Sequence, residues 1–154
     1  MSQKVADRLA ELGITLPEAP LPAASYVPFV RTGDLLHVSG QIARDEAGLI
    51  CGKLGENVDV AEGARAAETC ALALLAQVRA ACDGDLDRLV RIVKLNGFVN
   101  SAPGFTDQPK VINGASDLMV KILGDAGRHA RSAVGVAALP LGVAVEIDGV
   151  FQLR

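Results

Sequence analysis

Apolar residues fall at Val5, Leu9 and Leu12, three to four apart, and Gly13 follows them. That spacing predicts a short amphipathic helix over 2–12, ended where glycine can take a left-handed backbone. Pro17, Pro20 and Pro22 then interrupt regular structure, so the chain is expected to cross the surface extended until a first strand over 26–30. After the turn residues Thr32-Gly33-Asp34, the β-prone run Leu35-Leu36-His37-Val38-Ser39-Gly40 reads as the second arm of a hairpin that ends at Gly40. Residues 45–55 carry Gly48, Gly52 and Gly55 around the apolar pair Leu49-Ile50, which predicts a loop with a strand stub.

The next segment changes period. Asp59 stands three residues before Glu62, an acidic helix start, and Val60, Ala64, Ala67, Ala71, Leu74 and Val78 follow on one face. Gly84 interrupts this helix, and 89–99 mixes β-branched residues with charges in rough alternation, as a strand with one wetter face does. Ile112, Ala115, Leu118, Met119 and Ile122 return to helical spacing over 111–123, with Pro109 tolerated at the start and Gly124 beyond the end. Residues 132–153 form two runs of small and β-branched residues about Leu139-Pro140-Leu141-Gly142, expected as a hairpin of two strands. The predicted order after the first helix is ββαβαββ. Two helices on one face of a mixed sheet, an α+β layer arrangement, is the simplest architecture for it.

Composition narrows the picture. At 154 residues the expectation is one domain over 1–154, with an N-terminal extension of about 24 residues. Aromatic residues are only 3%, without Trp, so the core must be filled by small and branched aliphatics that let helices approach the sheet closely. Net charge is −3 with the signs interspersed, and no Lys/Arg run could track a phosphate backbone or an anionic membrane. The charged N-terminus lacks a secretory apolar stretch, and a cytoplasmic protein is expected. Cys51, Cys70 and Cys82 match neither a zinc-site spacing nor a CxxC pair and read as reduced, mostly packing residues.

Candidate chemistry is sparse. There is no phosphate-binding glycine loop, no nucleophile elbow and no HExxH, and His37 and His129 have no carboxylate or cysteine at ligand spacing. His37 reads as a strand residue and His129 as a loop residue. More informative is Arg131-Ser132 at a strand start, followed beyond Leu139-Pro140 by Glu146. Within a hairpin, guanidinium and carboxylate could face one cavity, or they could form a surface or interface salt bridge. Ser39-Gly40-Gln41 is equally two-sided, since Gly40 admits a ligand close to the backbone or simply ends a strand.

Taken together, Val38-Ser39-Gly40-Gln41-Ile42, Gly52-Lys53-Leu54-Gly55 and the block Ala130-Arg131-Ser132-Ala133-Val134, Leu139-Pro140, Val145-Glu146-Ile147 resemble the signature of the RidA/YjgF family. The block fits ARSxVxVxxLPxxVxxEI without a gap, and the resemblance spans roughly 28–151. It implies a chorismate-mutase-like α+β fold that assembles as a homotrimer with sheets lining a central barrel and ligand sites between subunits. Active members of the family hydrolyse enamine and imine acids to 2-keto acids and ammonia. Carried over by position, Arg131 would hold the substrate carboxylate and Glu146 would orient or activate water, with Ser39 and Asn113 lining the cleft and Gly40 presenting backbone to it. Imine hydrolysis needs little beyond an oriented acid and one placed water, so no metal or organic cofactor is expected. The small-molecule partner is an imino acid or another carboxylate; membrane and nucleic acid are not expected partners.

The departures from the family pattern fall at the ligand. Phe29 after Pro28 stands where many active members carry tyrosine, Ala133 stands where cysteine is common, 106–112 is longer, and the helix over 2–12 is extra. These features resemble a divergent, longer branch. They leave open a trimer that binds a carboxylate without catalysis, while the family's other label, an endoribonuclease of L-PSP type, finds here neither a basic patch nor stacking aromatics.

Overall fold

The computed structural model describes residues 4–22 and 24–154. Helix α1 runs Val5–Glu11 with Lys4 extended ahead of it, and residues 2 and 3 of the predicted span lie outside the described residues. Leu9 is buried beneath it, the Val5 N–H donates to Asp87 Oδ1 at 3.0 Å, and Arg8 Nε donates to the Lys121 carbonyl at 3.0 Å. The proline-rich crossing then runs over the second helix, where Arg79 Nη2 reaches the Pro17 carbonyl and Gln77 Nε2 the Pro20 carbonyl.

Strand β1 (Phe29–Thr32) starts three residues later than predicted and turns through Gly33-Asp34 into β2 (Leu35–Ile42). β2 does not stop at Gly40: Gln41 and Ile42 go on pairing with the last strand across an irregularity in register. Two stubs, β3 (Arg44–Asp45) and β4 (Gly48–Leu49), occupy the glycine-rich loop. Helix α2 (Val60–Ala81) opens on a reciprocal cap, with the Glu62 N–H donating to Asp59 Oδ1 at 2.8 Å and the Asp59 N–H to Glu62 Oε2 at 3.0 Å. A cap of this kind is worth about 1 kcal/mol. Strand β5 (Leu89–Asn100), helix α3 (Gln108–Leu123), strand β6 (Ala130–Val136) and strand β7 (Val145–Leu153) complete the chain.

The sheet order is β1-β2-β7-β5-β6. β5 and β6 are parallel, as a strand–helix–strand crossover through α3 requires, and the other pairings are antiparallel. The hairpin expected of the last two strands is therefore corrected: β6 and β7 do not pair, because β5 lies between them. Residues 137–144 carry the chain around the end of β5, where the Asn100 N–H donates to the Ala144 carbonyl and the Ser101 N–H to the Val136 carbonyl. Lys53 Nζ ties this bend to β5 by donating to both the Ala137 carbonyl and Asn100 Oδ1.

Both long helices cover one face of the sheet. β7 alternates strictly: Val145, Ile147, Phe151 and Leu153 are buried under the helices, while Glu146, Asp148, Val150 and Gln152 point to the opposite, open face. The layer is thin because the facing residues are small. Ala66, Ala67, Cys70, Ala71 and Leu74 of α2 are completely buried, and α3 crosses α2 with Gly114 against the Ala64 carbonyl, so close that a Cβ on Gly114 would overlap that oxygen. Gly114→Ala is expected to force the helices apart at a cost of about 1–3 kcal/mol. Urea unfolding of both proteins measures it, and a loss under ~0.5 kcal/mol would mean the crossing is not close-packed.

Candidate functional site

Arg131 sits on β6, an edge strand, and points under α3. Its Nη1 donates to Asn113 Oδ1 at 2.8 Å and to Ser116 Oγ at 3.1 Å. Asn113 and Ser116 are three residues apart, hence neighbours on the side of α3 that meets β6. Two contacts occupy both Nη1 protons, which leaves the Nε–H and Nη2–H edge, the side-on fork that a carboxylate takes with two parallel hydrogen bonds. Among the described residues no carboxylate lies within ion-pair distance of this half-buried guanidinium. The surface salt-bridge alternative is thus not realised within the chain.

Behind Ser116 lies a residue that the sequence pattern marks only as part of a loop. His129 is half-buried just before β6; its Nδ1 is 2.6 Å from the Gly127 carbonyl and its Nε2 2.9 Å from Ser116 Oγ. Burial lowers its pKa below the ordinary imidazole value; the carbonyl opposes that and the Arg131 charge adds to it. Ala133, two residues beyond Arg131, shares its face of β6 and packs against the core.

Glu146 is elsewhere. In the sheet Arg131 pairs with Leu95, which is fully buried under the helices, whereas Glu146 pairs with Phe98. Positions three apart on a strand face opposite sides, so Arg131 lies on the helix-covered face and Glu146 on the open one. The alternative in which both groups face one cavity of a hairpin is thus not realised within one chain.

What Glu146 meets instead is the irregularity in β2. Val38 pairs with Gly149 and Gln41 with Ile147, so Ser39 and Gly40 together oppose the single residue Asp148, a β-bulge. The bulge brings Gly40 against Glu146, where an added Cβ would overlap Oε1. Ser39 Oγ donates to the Val27 carbonyl at 2.8 Å. From behind, buried Gln41 donates to the Ser39 carbonyl at 2.9 Å, and its own Oε1 accepts from buried Gln77 at 3.5 Å. Next to the bulge lies an open concavity of 440 Å³ lined by His37, Ser39, Gly40, Asn96 and Asp148, among others. Burial raises the Glu146 pKa above its ordinary value, and the neighbouring Asp148 raises it further. Phe29 is on β1, the other sheet edge, paired with Val38 and packed against the core.

The residues singled out by sequence thus form two groups. Arg131, Asn113 and Ala133 gather at the β6 edge, while Ser39, Gly40 and Glu146 gather on the open face about β2 and β7, with Phe29 at the far edge. Ser116, His129, Gln41 and Gln77 were missed as site residues. The one signal available was the three-residue spacing of Asn113 and Ser116. Among the described residues no three His, Cys, Asp or Glu side chains stand close enough to hold a metal ion.

A family model described as "YjgF/chorismate_mutase-like, putative endoribonuclease" matches residues 6–148. The chain belongs to this YjgF family. Protein TCP17 of Trypanosoma cruzi is 53% identical to it over 155 residues, 99% of this chain and 96% of that protein. The crystal structure of Atu1372 from Agrobacterium tumefaciens superposes with a TM-score of 0.90 at 51% identity, over 97% of this chain and 92% of that one. RidA from an Antarctic Psychrobacter gives 0.59 at 27% identity, over 89% and 94%. The fold expectation therefore holds, and the chain stands nearer to Atu1372 than to that RidA.

The Glu146 carboxyl holds its proton to higher pH in the folded chain than an exposed carboxyl does. Folding favours its neutral form, so its contribution to stability is present below the ordinary carboxylate range and is lost as pH rises through the raised value. Asp148→Asn is expected to bring the Glu146 titration, followed by carboxyl carbon NMR, back toward the ordinary range. An unchanged midpoint would mean that Asp148 does not act on it.

Proposed function

We propose that this YjgF-family protein hydrolyses reactive enamine or imine acids to 2-keto acids and ammonia, in sites completed by a second copy of the chain. The observation that carries the reading is Arg131: a half-buried guanidinium, pinned on one side by Asn113 and Ser116, with its carboxylate-binding edge unpaired among the described residues. A fork built in this way is preorganised for a planar acid.

Hydrolysis of C=N needs a water at the imine carbon and a group that takes a proton from it. Glu146 is the carboxylate assigned to that task. Its raised pKa brings a weakly basic group nearer to the working pH, where proton transfer is more effective. Gly40 leaves the space that the carboxylate occupies. Because Arg131 and Glu146 lie on opposite faces of one sheet, the reading requires Arg131 of one copy to meet Glu146 of another. A homotrimer built on the open face, which exposes Val30, Val134 and part of Phe98, would cover that apolar surface and set the β6 edge of one copy beside the Glu146 face of the next. The protein is taken to work in the cytoplasm; among the described residues no helix is long and apolar enough to cross a membrane.

The test is ammonia release from iminopyruvate generated in situ, with solution mass measured alongside. Wild type should exceed the spontaneous rate, and Arg131→Ala should lose about 3 kcal/mol of transition-state stabilisation, roughly 100-fold in kcat/KM. Activity retained in Arg131→Ala overturns the reading. Sharing between copies is tested by mixing inactive Arg131→Ala and Glu146→Gln chains, unfolding and reassembling them. If each site takes its arginine and its carboxylate from different copies, about a quarter of the sites regain both. No regain would place both groups in one copy, against the sheet geometry.

A further inference from the structure

The hydrogen bonds from Arg131 inward run in one direction. The Gly127 carbonyl can only accept, so the His129 Nδ1 that faces it carries the proton. In the neutral ring Nε2 is then an acceptor, and the Ser116 hydroxyl donates to it. Ser116 Oγ is left with lone pairs, one of which takes the Nη1–H of Arg131. The polarity is Arg131 to Ser116 to His129 to Gly127, and every member is satisfied only while His129 is neutral.

Other charges lie around this chain of bonds. From the turn before β6 come Asp125 and Arg128, which pair with each other at 3.4 Å on the surface. β5 brings Arg91, whose Nη2 donates to the Arg128 carbonyl, and Lys94, which pairs in register with Ala130. α3 adds exposed Asp117 beside Ser116. Of these groups and Arg131, it is Arg131 whose charge acts on the imidazole, and it opposes protonation.

We infer that a carboxylate held by Arg131 is bound together with a proton, taken up from solvent by His129. The ligand's negative charge offsets the guanidinium beside the imidazole and so removes one of the two effects that keep the ring neutral. Once Nε2 is protonated it donates to Ser116 Oγ, and the hydroxyl proton, which has lost its acceptor on the ring, turns to solvent, while Oγ goes on accepting from Arg131 Nη1. The reversal leaves the two donors of the arginine edge to the ligand and changes only O–H and N–H contacts behind it. His129 and Ser116 are thereby positioning residues for the carboxylate, and binding tightens as pH falls. The inference rests on Arg131 as the carboxylate anchor.

The experiment is calorimetric titration of the assembled protein with pyruvate, an unreactive 2-keto acid, at several pH values and in two non-carboxylate buffers of different ionisation enthalpy. If the ligand raises the His129 pKa by about one unit, roughly half a proton is taken up midway between the free and bound values, and Kd tightens by up to about tenfold across that range. His129→Gln, which keeps hydrogen-bonding groups but does not titrate, should bind without uptake and with a flat pH profile. Binding by wild type without proton uptake, or uptake that persists in His129→Gln, overturns the inference and leaves the anchor intact. Binding by Arg131→Ala as tight as wild type overturns the anchor itself. Should His129→Gln not fold, the imidazole NMR titration of wild type with and without pyruvate decides, since an unmoved His129 midpoint is the refuting result.

Discussion

Side-chain alternation across β5 and its two neighbours governs everything the protein can do at its arginine. From Lys94 to Val99, β5 pairs on one side with β6 in parallel and on the other with β7 in antiparallel, and the register is continuous over that stretch. A slip of one residue would turn Leu95 and Ile147 out of the core, so burial of these side chains fixes the register. The same register puts Arg131 under α3 and Glu146 on the open face. The core thus sets the separation of the two chemically active groups, and no rotamer change within one chain can undo it. A site that uses both must be intermolecular.

The thinness of the layer has the same origin. With 3% aromatic residues, volume under the sheet comes from Ala, Val, Leu and Ile, and the two helices pack through Ala64 and Gly114 rather than through long side chains. Close approach of α3 to the sheet is what lets Asn113 and Ser116 reach Arg131 from above. A bulkier layer would lift α3 away and leave the guanidinium with only solvent around Nη1. Packing and site are coupled here through one small residue at a helix crossing.

Periodic signals in the sequence were enough for the elements. Asp59 with Glu62 marked the start of α2, Gly124 marked the end of α3, alternation marked β5, and runs of small and β-branched residues marked β6 and β7, because each depends on neighbours within a few positions. Sheet order is a different kind of fact. Leu139-Pro140-Leu141-Gly142 looks like a hairpin turn locally, yet the strands it joins are separated by β5, whose claim on both of them is made some forty residues away. Arg131, Ser39, Gly40 and Glu146 were legible from the family signature, but their division between two faces was not. His129 escaped because its partners are a serine thirteen residues back and a carbonyl that no side-chain pattern encodes.

The contrast between the two groups of site residues bears on what kind of ligand fits. At the β6 edge the groups that touch the Arg131 guanidinium, Asn113 and Ser116, are neutral, and no carboxylate among the described residues pairs with its charge; on the open face Glu146 and Asp148 crowd two carboxylates together, with Asn96 Nδ2 donating to Asp148 at 2.7 Å. A ligand that satisfies both when two copies meet needs an anionic end for the arginine and an electrophilic or cationic end for the carboxylates. An imine acid has that polarity, its carboxylate at one end and a protonatable C=N at the other. A nucleic-acid backbone, with negative charge at every phosphate, would meet Glu146 and Asp148 with the wrong sign. In the proposed two-copy site, charge complementarity therefore suits a small zwitterion-like acid better than RNA.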